Sequence, residues 1–329
     1  MPASLSITRL APSPTGALHL GNARTFFINW LLARQNGWRI ILRVEDLDGP
    51  RIKRGAGEML LRDLAWLGID WDEGPIYQSS RLNLYKQALD RLLNSGEAYP
   101  CICTRKEVEM SASAPHAEDR AAVYPGTCRG RFASVEAASA HAGRMPAIRF
   151  RVPDQIVEFD DAFRGRESFD VAQQLGDFVI AKGDGTPAYQ LAVVVDDAAM
   201  GVTNVVRADD LIDSTPRQIL LQRALGLSDR IPQYMHLPLV TGTDGRRLAK
   251  RHGDTRLSSY REHGVNAQRV VALLARWCGI DAGEHATARE LMGRFELAAL
   301  SHQPIIFTAE DDRWLLAGRR EAHAKSGRP

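Results

Sequence analysis

The sequence has little net charge, no long hydrophobic run and few cysteines, and each shortage excludes a class of protein. The longest apolar runs, such as residues 191–195, are far too short to cross a bilayer, and residues 1–10 contain no hydrophobic signal segment. A formal net charge of +2 does not by itself indicate a nucleic-acid partner. We therefore expect a cytoplasmic protein without membrane contact, in which RNA binding would need a local basic face. Candidates for such a face, or simply for solvated side chains, are Arg129, Arg131, Arg144, Arg149 and Arg151.

The chain of 329 residues contains four cysteines, and their spacing favours a metal site over disulfides. Cys101, Cys103 and Cys128 cluster in the sequence, whereas Cys278 lies alone in a helical pattern. Three thiolates are one ligand short of a tetrahedral structural zinc site, and His116 is a candidate fourth ligand because imidazole is a common zinc ligand. The alternative is three buried cysteines without a metal.

The first part of the chain predicts an α/β fold. Helical spacing predicts helices over residues 20–36, 58–67 and 83–94, and a β-branched run predicts a strand over residues 40–44. This order is typical of a doubly wound parallel sheet, which places its ligand residues at the carboxyl ends of its strands. Glu45 lies at such an end. The length of the chain suggests two domains with a helical appendage.

An inserted domain is predicted between about residues 99 and 185, because the pattern changes there. This part contains the cysteine cluster, an Ala/Ser-rich stretch at residues 134–142 and a strand-like segment at residues 147–152. The sheet is therefore expected to be split in the sequence around this insert.

The alternation of strands and helices returns after the insert. Strands are predicted over residues 189–195 and 202–206, and Thr215 followed by Pro216 predicts a helix that Thr215 caps. Beyond Asp254 we find only helical signals. They include two capping boxes, Thr287-x-x-Glu290 and Thr308-x-x-Asp311.

Residues 9–22, with the sequence RLAPSPTGALHLGN, predict a phosphate site at a helix N-terminus. Two prolines hold the approach extended, two glycines leave room for a ligand, and an amphipathic helix begins at about Leu20. The unpaired N–H groups of a helix start suit phosphate, with His19 and Thr15 as further donors. The loop therefore indicates chemistry on ATP. The alternative for the His-x-Gly element alone is an ordinary capped turn.

A second loop, residues 241–253, is rich in glycine and basic residues. A flexible lysine such as Lys250 can follow a phosphate as charge develops on a leaving group. Taken alone, the cluster is also typical of a solvated turn. Its meaning comes from its combination with the first loop.

The two loops resemble the two signatures of class I aminoacyl-tRNA synthetases. Residues 12–22 resemble the HIGH signature and residues 247–251 the KMSKS signature. More narrowly, much of the chain is similar to glutamyl-tRNA synthetases. The similar stretches are residues 9–24, 43–48, 189–197, 205–207, 215–218 and 250–254.

The resemblance implies a Rossmann-type parallel sheet split by an inserted, zinc-containing α/β domain and followed by a short helical stem-contact domain. The expected divisions are residues 1–98 and 188–254 for the two halves of the Rossmann catalytic domain, 99–187 for the insert, 255–316 for the stem-contact helices and 317–329 for a flexible basic tail.

The resemblance also implies roles for individual residues. It implies that the enzyme uses Mg²⁺ together with ATP. The catalytic residues would be His19 and Lys250. The ATP site would comprise Pro12, Thr15, His19, Gly21, Asn22 and Lys250. The L-glutamate site would comprise Arg9, Ala11, Ser13, Glu45, Tyr189 and Arg207. One structural zinc ion would be held by Cys101, Cys103, Tyr124 and Cys128, with Tyr124 preferred to His116 because of the family spacing.

The chemistry of glutamate agrees with these residue types. A guanidinium can grip a carboxylate with two hydrogen bonds, which makes Arg9 and Arg207 apt for the side chain of glutamate. Glu45 is apt for its ammonium group. On residue type alone, the two arginines would more often be surface charges. Glutamine would leave buried arginines unpaired, which predicts strong discrimination against it.

Glutamyl-tRNA synthetases carry anticodon-binding helical domains after the part matched here, and we expect none in this chain. The chain therefore resembles the shortened glutamyl-queuosine tRNA(Asp) synthetase branch of that family. The branch implies tRNA-independent activation of glutamate, transfer to queuosine in the anticodon loop of tRNA(Asp), and a monomer. The alternatives are a glutamyl-tRNA synthetase body that acts on tRNA(Glu) with a separate anticodon domain, and a non-catalytic paralogue that binds tRNA or an amino acid.

The chain departs from the family signatures at four positions. Asn22 replaces the second histidine of HIGH, and Arg247 and Ala249 replace the first lysine and the serine of KMSKS. Ala208 stands where the family usually has glycine. Lys250, whose charge the chemistry needs most, is retained.

Overall fold

The computed structural model describes residues 5–49, 52, 55–111, 123–248 and 253–318. Its strands are β1 (Ile7–Leu10), β2 (Arg39–Val44), β3 (Glu73–Tyr77), β4 (Ala98–Cys101), β5 (Ala147–Phe150), β6 (Ile156–Asp161), β7 (Gly165–Asp170), β8 (Val179–Ala181), β9 (Asn204–Ala208), β10 (Gln233–Leu237), β11 (Val240–Thr241) and β12 (Ile305–Ile306). Its α-helices are α1 (Leu20–Gln35), α2 (Ala56–Trp66), α3 (Leu82–Asn94), α4 (Arg105–Ser111), α5 (Val135–Ala142), α6 (Val171–Gln174), α7 (Tyr189–Ala199), α8 (Ser214–Ala224), α9 (Leu257–Glu262), α10 (Ala267–Arg276) and α11 (Ala309–Ala317).

The central sheet has the strand order β3-β2-β1-β9-β10-β6-β7. Its first five strands pair in parallel, and β6 and β7 form an antiparallel hairpin at one edge. The order reverses beside β1, which lies between β2 and β9. In open α/β sheets, ligands bind beyond the carboxyl ends of the strands at such a reversal. The predicted parallel sheet is confirmed, whereas the division of the chain around an insert stays a prediction.

Helix α1 joins the sheet to the helical end of the molecule. It follows β1, and its inner side chains, including Phe27 and Leu31, are fully buried in one apolar core with residues of β2 and α10. The predicted helices at residues 20–36, 58–67 and 83–94 and the predicted strand at 40–44 are confirmed within one or two residues at each end.

The predicted strand over residues 189–195 is wrong, because these residues form the first part of helix α7. The helix packs against α3 and α8, and Leu191 to Val194 are each at most 1% exposed. A helix buried on several sides needs a continuous apolar run, which periodicity alone cannot distinguish from a buried strand.

The predicted cap at Thr215 is also wrong. Helix α8 begins at Ser214 with Asp213 as its cap residue, two residues before the predicted start and cap. The hydroxyl of Thr215 is fully buried and accepts a hydrogen bond from Arg207 at 2.7 Å. The polar residue before the proline serves a tertiary contact and not the helix end.

The prediction of helices alone beyond Asp254 is wrong at one place. Strand β12 pairs in parallel with β11, and a strand of two residues is too short to show alternation. The Thr308 capping box is confirmed at α11. The Thr287 box forms both of its hydrogen bonds, but it precedes a short 3-10 turn at Arg289–Leu291.

The insert has two parts. Strands β4, β5 and β8 form a separate antiparallel sheet, whereas the β6–β7 hairpin joins the central sheet through a bridge between Asp161 and Tyr234. Two arginines of the candidate basic face brace the insert internally. Arg129 pairs with Asp177 at 2.8 Å, and the guanidinium of Arg149 lies 3.8 Å from the ring centre of Tyr124.

Within the part of the chain that the structure describes, no helix is both long and apolar enough to span a membrane.

The segment that follows the second loop is attached to the start of α1. The backbone N–H of Leu20 donates to the carbonyl of Thr255 at 3.0 Å, and that of Leu257 donates to the carbonyl of Leu18 at 2.8 Å. The side chain of Leu257 is fully buried in the same core as Leu18 and Leu20.

We predict that Leu257→Ala lowers the free energy of unfolding by about 2–5 kcal/mol, because it removes a fully buried side chain and leaves a cavity. The control is Leu82→Ala on α3, where the leucine is 49% exposed and the change should stay within about 0.5 kcal/mol. Urea unfolding of the three proteins measures both effects. Equal losses in the two variants would contradict this account of the core.

Candidate active site

A cavity of about 470 Å³ opens at the carboxyl ends of β1, β2 and β9, beside the start of α1. It is lined by every predicted ATP and glutamate residue that the structure describes, except Gly21. Those residues are Arg9, Ala11, Pro12, Ser13, Thr15, His19, Asn22, Glu45, Tyr189 and Arg207. Lys250 and His116 lie outside the described residues, as does Ala249.

His19 is the cap residue of α1. Its Nδ1 accepts hydrogen bonds from the backbone N–H groups of Gly21 at 3.1 Å and Asn22 at 3.4 Å. Burial, and next the positive charge of Arg247, lower the pKa of His19 from 6.5 to about 4. The ring is therefore neutral at pH 7, and because Nδ1 is an acceptor, Nε2 carries the proton. His19 offers a neutral hydrogen-bond donor at the positive end of a helix.

Gly21 lies directly beside the His19 ring. A Cβ at this position would lie 3.1 Å from both Cε1 and Nδ1 of the His19 ring. Glycine therefore leaves the space in which the imidazole caps the helix. The place of Gly21 in the ATP site, which the family resemblance implies, stays a prediction.

The two ends of the second loop reach the cavity. Arg247 lines it and pairs with Asp210 at 2.5 Å. On the other side of residues 249–252, Arg256 forms a backbone bridge with His19. The structure thus brings the flanks of the KMSKS-like segment to the HIGH-like loop.

A buried ion network includes two residues that line the cavity, Arg9 and Glu45. Arg43 is fully buried and contacts Asp197 at 2.5 Å, Glu45 at 3.1 Å and Asp196 at 3.8 Å. Arg9 lies 3.5 Å from the same carboxylate of Asp197. Burial opposes ionisation of Asp197, but Arg43 and Arg9 outweigh it and hold the pKa of that carboxyl below its usual range. The network fixes Arg9 and Glu45 in place.

Sequence reasoning missed Arg43, Asp196 and Asp197 as parts of this site. Two signals were available. An arginine interrupts the apolar run of β2, and two consecutive aspartates follow the apolar run of α7. Charged residues in buried elements are rarely tolerated without partners.

Glu45 lines the cavity, where the surroundings make the charged form of its carboxyl less favourable than in water. Its burial raises the pKa of its carboxyl above the ordinary value, although Arg43 and then Arg9 oppose this. A cation placed beside Glu45 would lower this pKa and be stabilised in return.

Arg207 differs from the other cavity arginines because its hydrogen-bond partners among the described residues are neutral. Its Nε donates to His236 at 2.9 Å, Nη1 to Gln218 at 3.0 Å and Nη2 to Thr215 at 2.7 Å. The residue is 4% exposed, and among the described residues no carboxylate pairs with it. A guanidinium has five N–H donors, so one remains on each terminal nitrogen. This is the donor pair that a bound carboxylate requires.

The four predicted metal ligands, three cysteines and one tyrosine, lie together. The sulfur atoms of Cys101, Cys103 and Cys128 are all within 4.8 Å of one another. The hydroxyl of Tyr124 lies 3.4 Å from the Cys101 sulfur and 3.6 Å from that of Cys103. Ligands on a tetrahedral zinc ion sit about 3.8 Å apart. Three thiols and one phenol at these spacings fit a structural zinc site.

Comparison with known proteins identifies the family. Residues 7–314 match the family model described as tRNA synthetases class I (E and Q), catalytic domain. The chain belongs to this family. Class I synthetases are ligases that use ATP and Mg²⁺, so the expected enzyme class is confirmed. The expected class I fold is confirmed as well.

Relatives of known name extend the comparison. The chain is 47% identical to the glutamyl-Q tRNA(Asp) synthetase of Symbiobacterium thermophilum, over 92% of this chain and 96% of that protein. It is 42% identical to the glutamate–tRNA ligase of Geobacter sulfurreducens, but spans only 64% of that protein's length. The crystal structure of a glutamate tRNA ligase from Elizabethkingia meningosepticum in complex with its amino acid superposes with a TM-score of 0.78 at 28% identity, covering 98% of this chain and 70% of that one.

We predict that His19→Asn keeps the helix cap and removes a pH-dependent cost. Because the pKa of His19 is lowered to about 4, the unfolded chain binds a proton first as pH falls from 6.5. The free energy of unfolding of the wild type therefore decreases between pH 6.5 and 4 because of His19. The asparagine variant lacks this decrease, so its stability relative to the wild type should rise as pH falls through this range.

The control is His19→Ala, which lacks the cap acceptor. Its free energy of unfolding at pH 7 should be lower by about 0.5–2 kcal/mol. Urea unfolding at pH 7 and pH 5 separates the two effects. A constant difference between the wild type and the asparagine variant at both pH values would show that His19 does not titrate in this range.

Proposed function

We propose that this enzyme activates L-glutamate with ATP and Mg²⁺, without needing tRNA, and transfers the glutamate to queuosine in the anticodon loop of tRNA(Asp). The observation that carries the proposal is that Arg207, Glu45 and the start of α1 line the same cavity. It contains a carboxylate site, an ammonium site and a phosphate site. The match to a glutamyl-Q tRNA(Asp) synthetase over 96% of that relative supports the choice of acceptor.

The glutamate would bind with its side-chain carboxylate at Arg207. The two remaining N–H groups of that guanidinium would donate to one carboxylate, and Arg9, already held by Asp197, would add positive charge in the same cavity. Glu45 would hold the ammonium group and thereby regain its own charged form. Ala11, Ser13 and Tyr189 complete the walls of this part of the cavity.

ATP would bind with its phosphates at the start of α1. The helix N-terminus and the neutral Nε2–H of His19 supply donors, and Thr15, Pro12 and Asn22 line the same wall. Gly21 keeps the imidazole in position. Lys250, outside the described residues, would neutralise charge on the departing pyrophosphate. Mg²⁺ bound to ATP supplies further charge neutralisation.

The reaction balances as two displacements. An α-carboxylate oxygen of glutamate attacks the α-phosphorus of ATP, and the bond to the β-phosphate oxygen breaks to release pyrophosphate. A hydroxyl of the cyclopentenediol of queuosine then attacks the acyl carbon, its proton passes to solvent, and AMP leaves with the electron pair of the broken acyl–oxygen bond. The cavity residues named above bind and orient the reactants in both steps.

The remaining expectations from the sequence become parts of the same proposal. Helices α9 to α11 would contact the tRNA stem, and the enzyme would act as a monomer. The cysteine cluster with Tyr124 would hold one structural zinc ion that braces the insert, since it lies outside the cavity.

The proposal is tested by two assays on the purified protein. Glutamate-dependent exchange of pyrophosphate into ATP, in the absence of tRNA, tests activation. Charging of queuosine-containing tRNA(Asp), compared with tRNA(Glu) and with tRNA(Asp) lacking queuosine, tests the acceptor. Exchange without charging of the modified tRNA, or charging of tRNA(Glu) instead, would contradict the proposed acceptor. No exchange at all would contradict activation.

We predict that Arg207→Gln lowers kcat/KM for glutamate on the order of a hundredfold or more in the exchange assay, because it removes the charge-assisted bonds to the substrate carboxylate. The preference for glutamate over glutamine should fall with it, whereas KM for ATP should change little. Arg166→Gln, at an exposed arginine of the β7 strand, is the control. An unchanged preference would place glutamate recognition elsewhere.

We predict that the purified protein carries one zinc ion and that Cys128→Ser loses it, because the serine oxygen is a poorer zinc ligand than a thiolate. Metal analysis by mass spectrometry measures this directly. Cys278→Ser, at a buried cysteine outside the cluster, is the control and should retain the metal. Absence of zinc from the unmodified protein would refute the site.

A further inference from the structure

A buried chain of hydrogen bonds runs from the insert to Arg207. The carboxylate of Asp161, the last residue of β6, lies 2.6 Å from Nδ1 of His236 on β10. Nε2 of His236 in turn lies 2.9 Å from Nε of Arg207 on β9. The side chains of Asp161 and His236 are fully buried. Neither residue lines the cavity, and neither has a part in the proposed function so far.

The chemistry of the two neighbours fixes the tautomer of His236. A carboxylate has no proton, so Nδ1 must donate to Asp161. Nε of Arg207 can only donate, so Nε2 must accept. The hydroxyl of Thr215, at 3.1 Å from Nε2, satisfies the same arrangement by donating to the ring while it accepts from Nη2 of Arg207. Every member of the chain is thus satisfied by one assignment of protons.

The other states of the ring would be costly. A proton on Nε2 alone would face the N–H of Arg207 and leave an unprotonated nitrogen against the carboxylate of Asp161. A doubly protonated ring would place a second cation against Arg207. Burial, opposed by Asp161, lowers the pKa of His236, with Arg207 and Arg164 acting in the same direction as burial. The other ionisable group against the ring is Tyr234, 6.1 Å away between ring centres.

Asp161 is itself held rigidly. Its Oδ1 accepts from the backbone N–H groups of Phe163 at 3.0 Å and Arg164 at 2.9 Å, in the turn between β6 and β7. The backbone N–H of His236 also donates to the carboxylate. The hairpin of the insert therefore orients Asp161, which in turn orients the imidazole.

We propose that Asp161 and His236 are positioning residues that orient the guanidinium of Arg207, and that they thereby set the affinity for glutamate and the discrimination against glutamine. The inference rests on the proposed function, because it gives Arg207 the role of binding the side-chain carboxylate. In this relay of hydrogen bonds from Asp161 through His236, Nε of Arg207 meets a neutral acceptor. The positive charge of Arg207 is therefore not neutralised before the substrate binds. A carboxylate in the place of His236 would pair with Arg207 directly and compete with glutamate.

The first test replaces Asp161 by asparagine. The amide group can still accept from the turn, but it presents N–H to Nδ1 of His236 and reverses the tautomer. KM for glutamate in the exchange assay should rise on the order of tenfold to a hundredfold, with kcat and KM for ATP changed much less. The kcat/KM preference for glutamate over glutamine should fall. Asp160→Asn, at the neighbouring carboxylate, which is 77% exposed in its side chain, is the matched control.

A second pair of variants keeps the proposal testable if Asp161→Asn does not fold. His236→Gln retains an acceptor oxygen for Arg207 and should preserve most of the preference for glutamate. His236→Phe retains the ring but no acceptor, and should lose that preference. Equal KM values for glutamate in these two folded variants would overturn the positioning role.

A spectroscopic measurement tests the relay without reference to activity. In protein labelled with nitrogen-15 at histidine, the ring signals of His236, assigned with the glutamine variant, should show the Nδ1-protonated tautomer. Asp161→Asn should convert it to the Nε2-protonated form. An Nε2-protonated ring in the wild type would overturn the inference. A wild type that shows the expected tautomer but no glutamate-dependent exchange would instead refute the proposed function.

Discussion

The ion pair between Arg43 and Asp197 is the interaction on which the site depends. The guanidinium is fully buried, the contact is 2.5 Å, and the two partners belong to different elements, β2 and α7. A buried ion pair adds little net stability compared with apolar packing, but breaking it by removal of one partner is costly. Here the pair fixes the relative position of the strand that ends at Glu45 and the helix that begins at Tyr189. Both ends of that connection line the cavity.

The sheet topology explains why residues distant in sequence meet at this point. Strand β1 lies between β2 and β9, so the loops that follow these strands leave the same edge of the sheet. Arg9, Glu45 and Arg207 each stand at or beside the end of one of these strands. The insert contributes from the other side, since its β6–β7 hairpin extends the sheet next to β10. The hairpin is therefore part of the support of the site and not only an appendage.

The sequence predicted those parts of the site that are local. Residues 9–22 form one loop and one helix start, so their chemistry could be inferred from adjacent residues, and Glu45 followed from its position after a clear strand. Arg207 and Tyr189 depended on resemblance to a family. Tyr189 lines the cavity although the strand predicted for it is a helix. A run of apolar residues shows burial, but it does not show which element is buried.

The long-range contacts were beyond any local pattern. His236 follows Asp161 by 75 residues, and their contact depends on the register of β6 against β10, which rests on one bridge between Asp161 and Tyr234. The close approach of the His19 ring to Gly21 likewise follows from no local pattern in the sequence. In both cases the missing information is which side chain occupies the adjacent space, and only the packed chain supplies it.

The arrangement of charges gives a physical reason for selectivity. Arg43 and Arg9 already share the carboxylate of Asp197, whereas Arg207 is held only by neutral acceptors. A buried cation without a directly paired anion is unfavourable, so the pocket is improved most by a ligand that brings a negative charge to Arg207. Glutamate does so, and glutamine presents an amide whose N–H groups would face further N–H donors. If Arg207 paired directly with Asp161, a negative charge on the ligand would no longer be favoured there. The imidazole of His236 separates the two residues and so preserves the advantage of glutamate over glutamine.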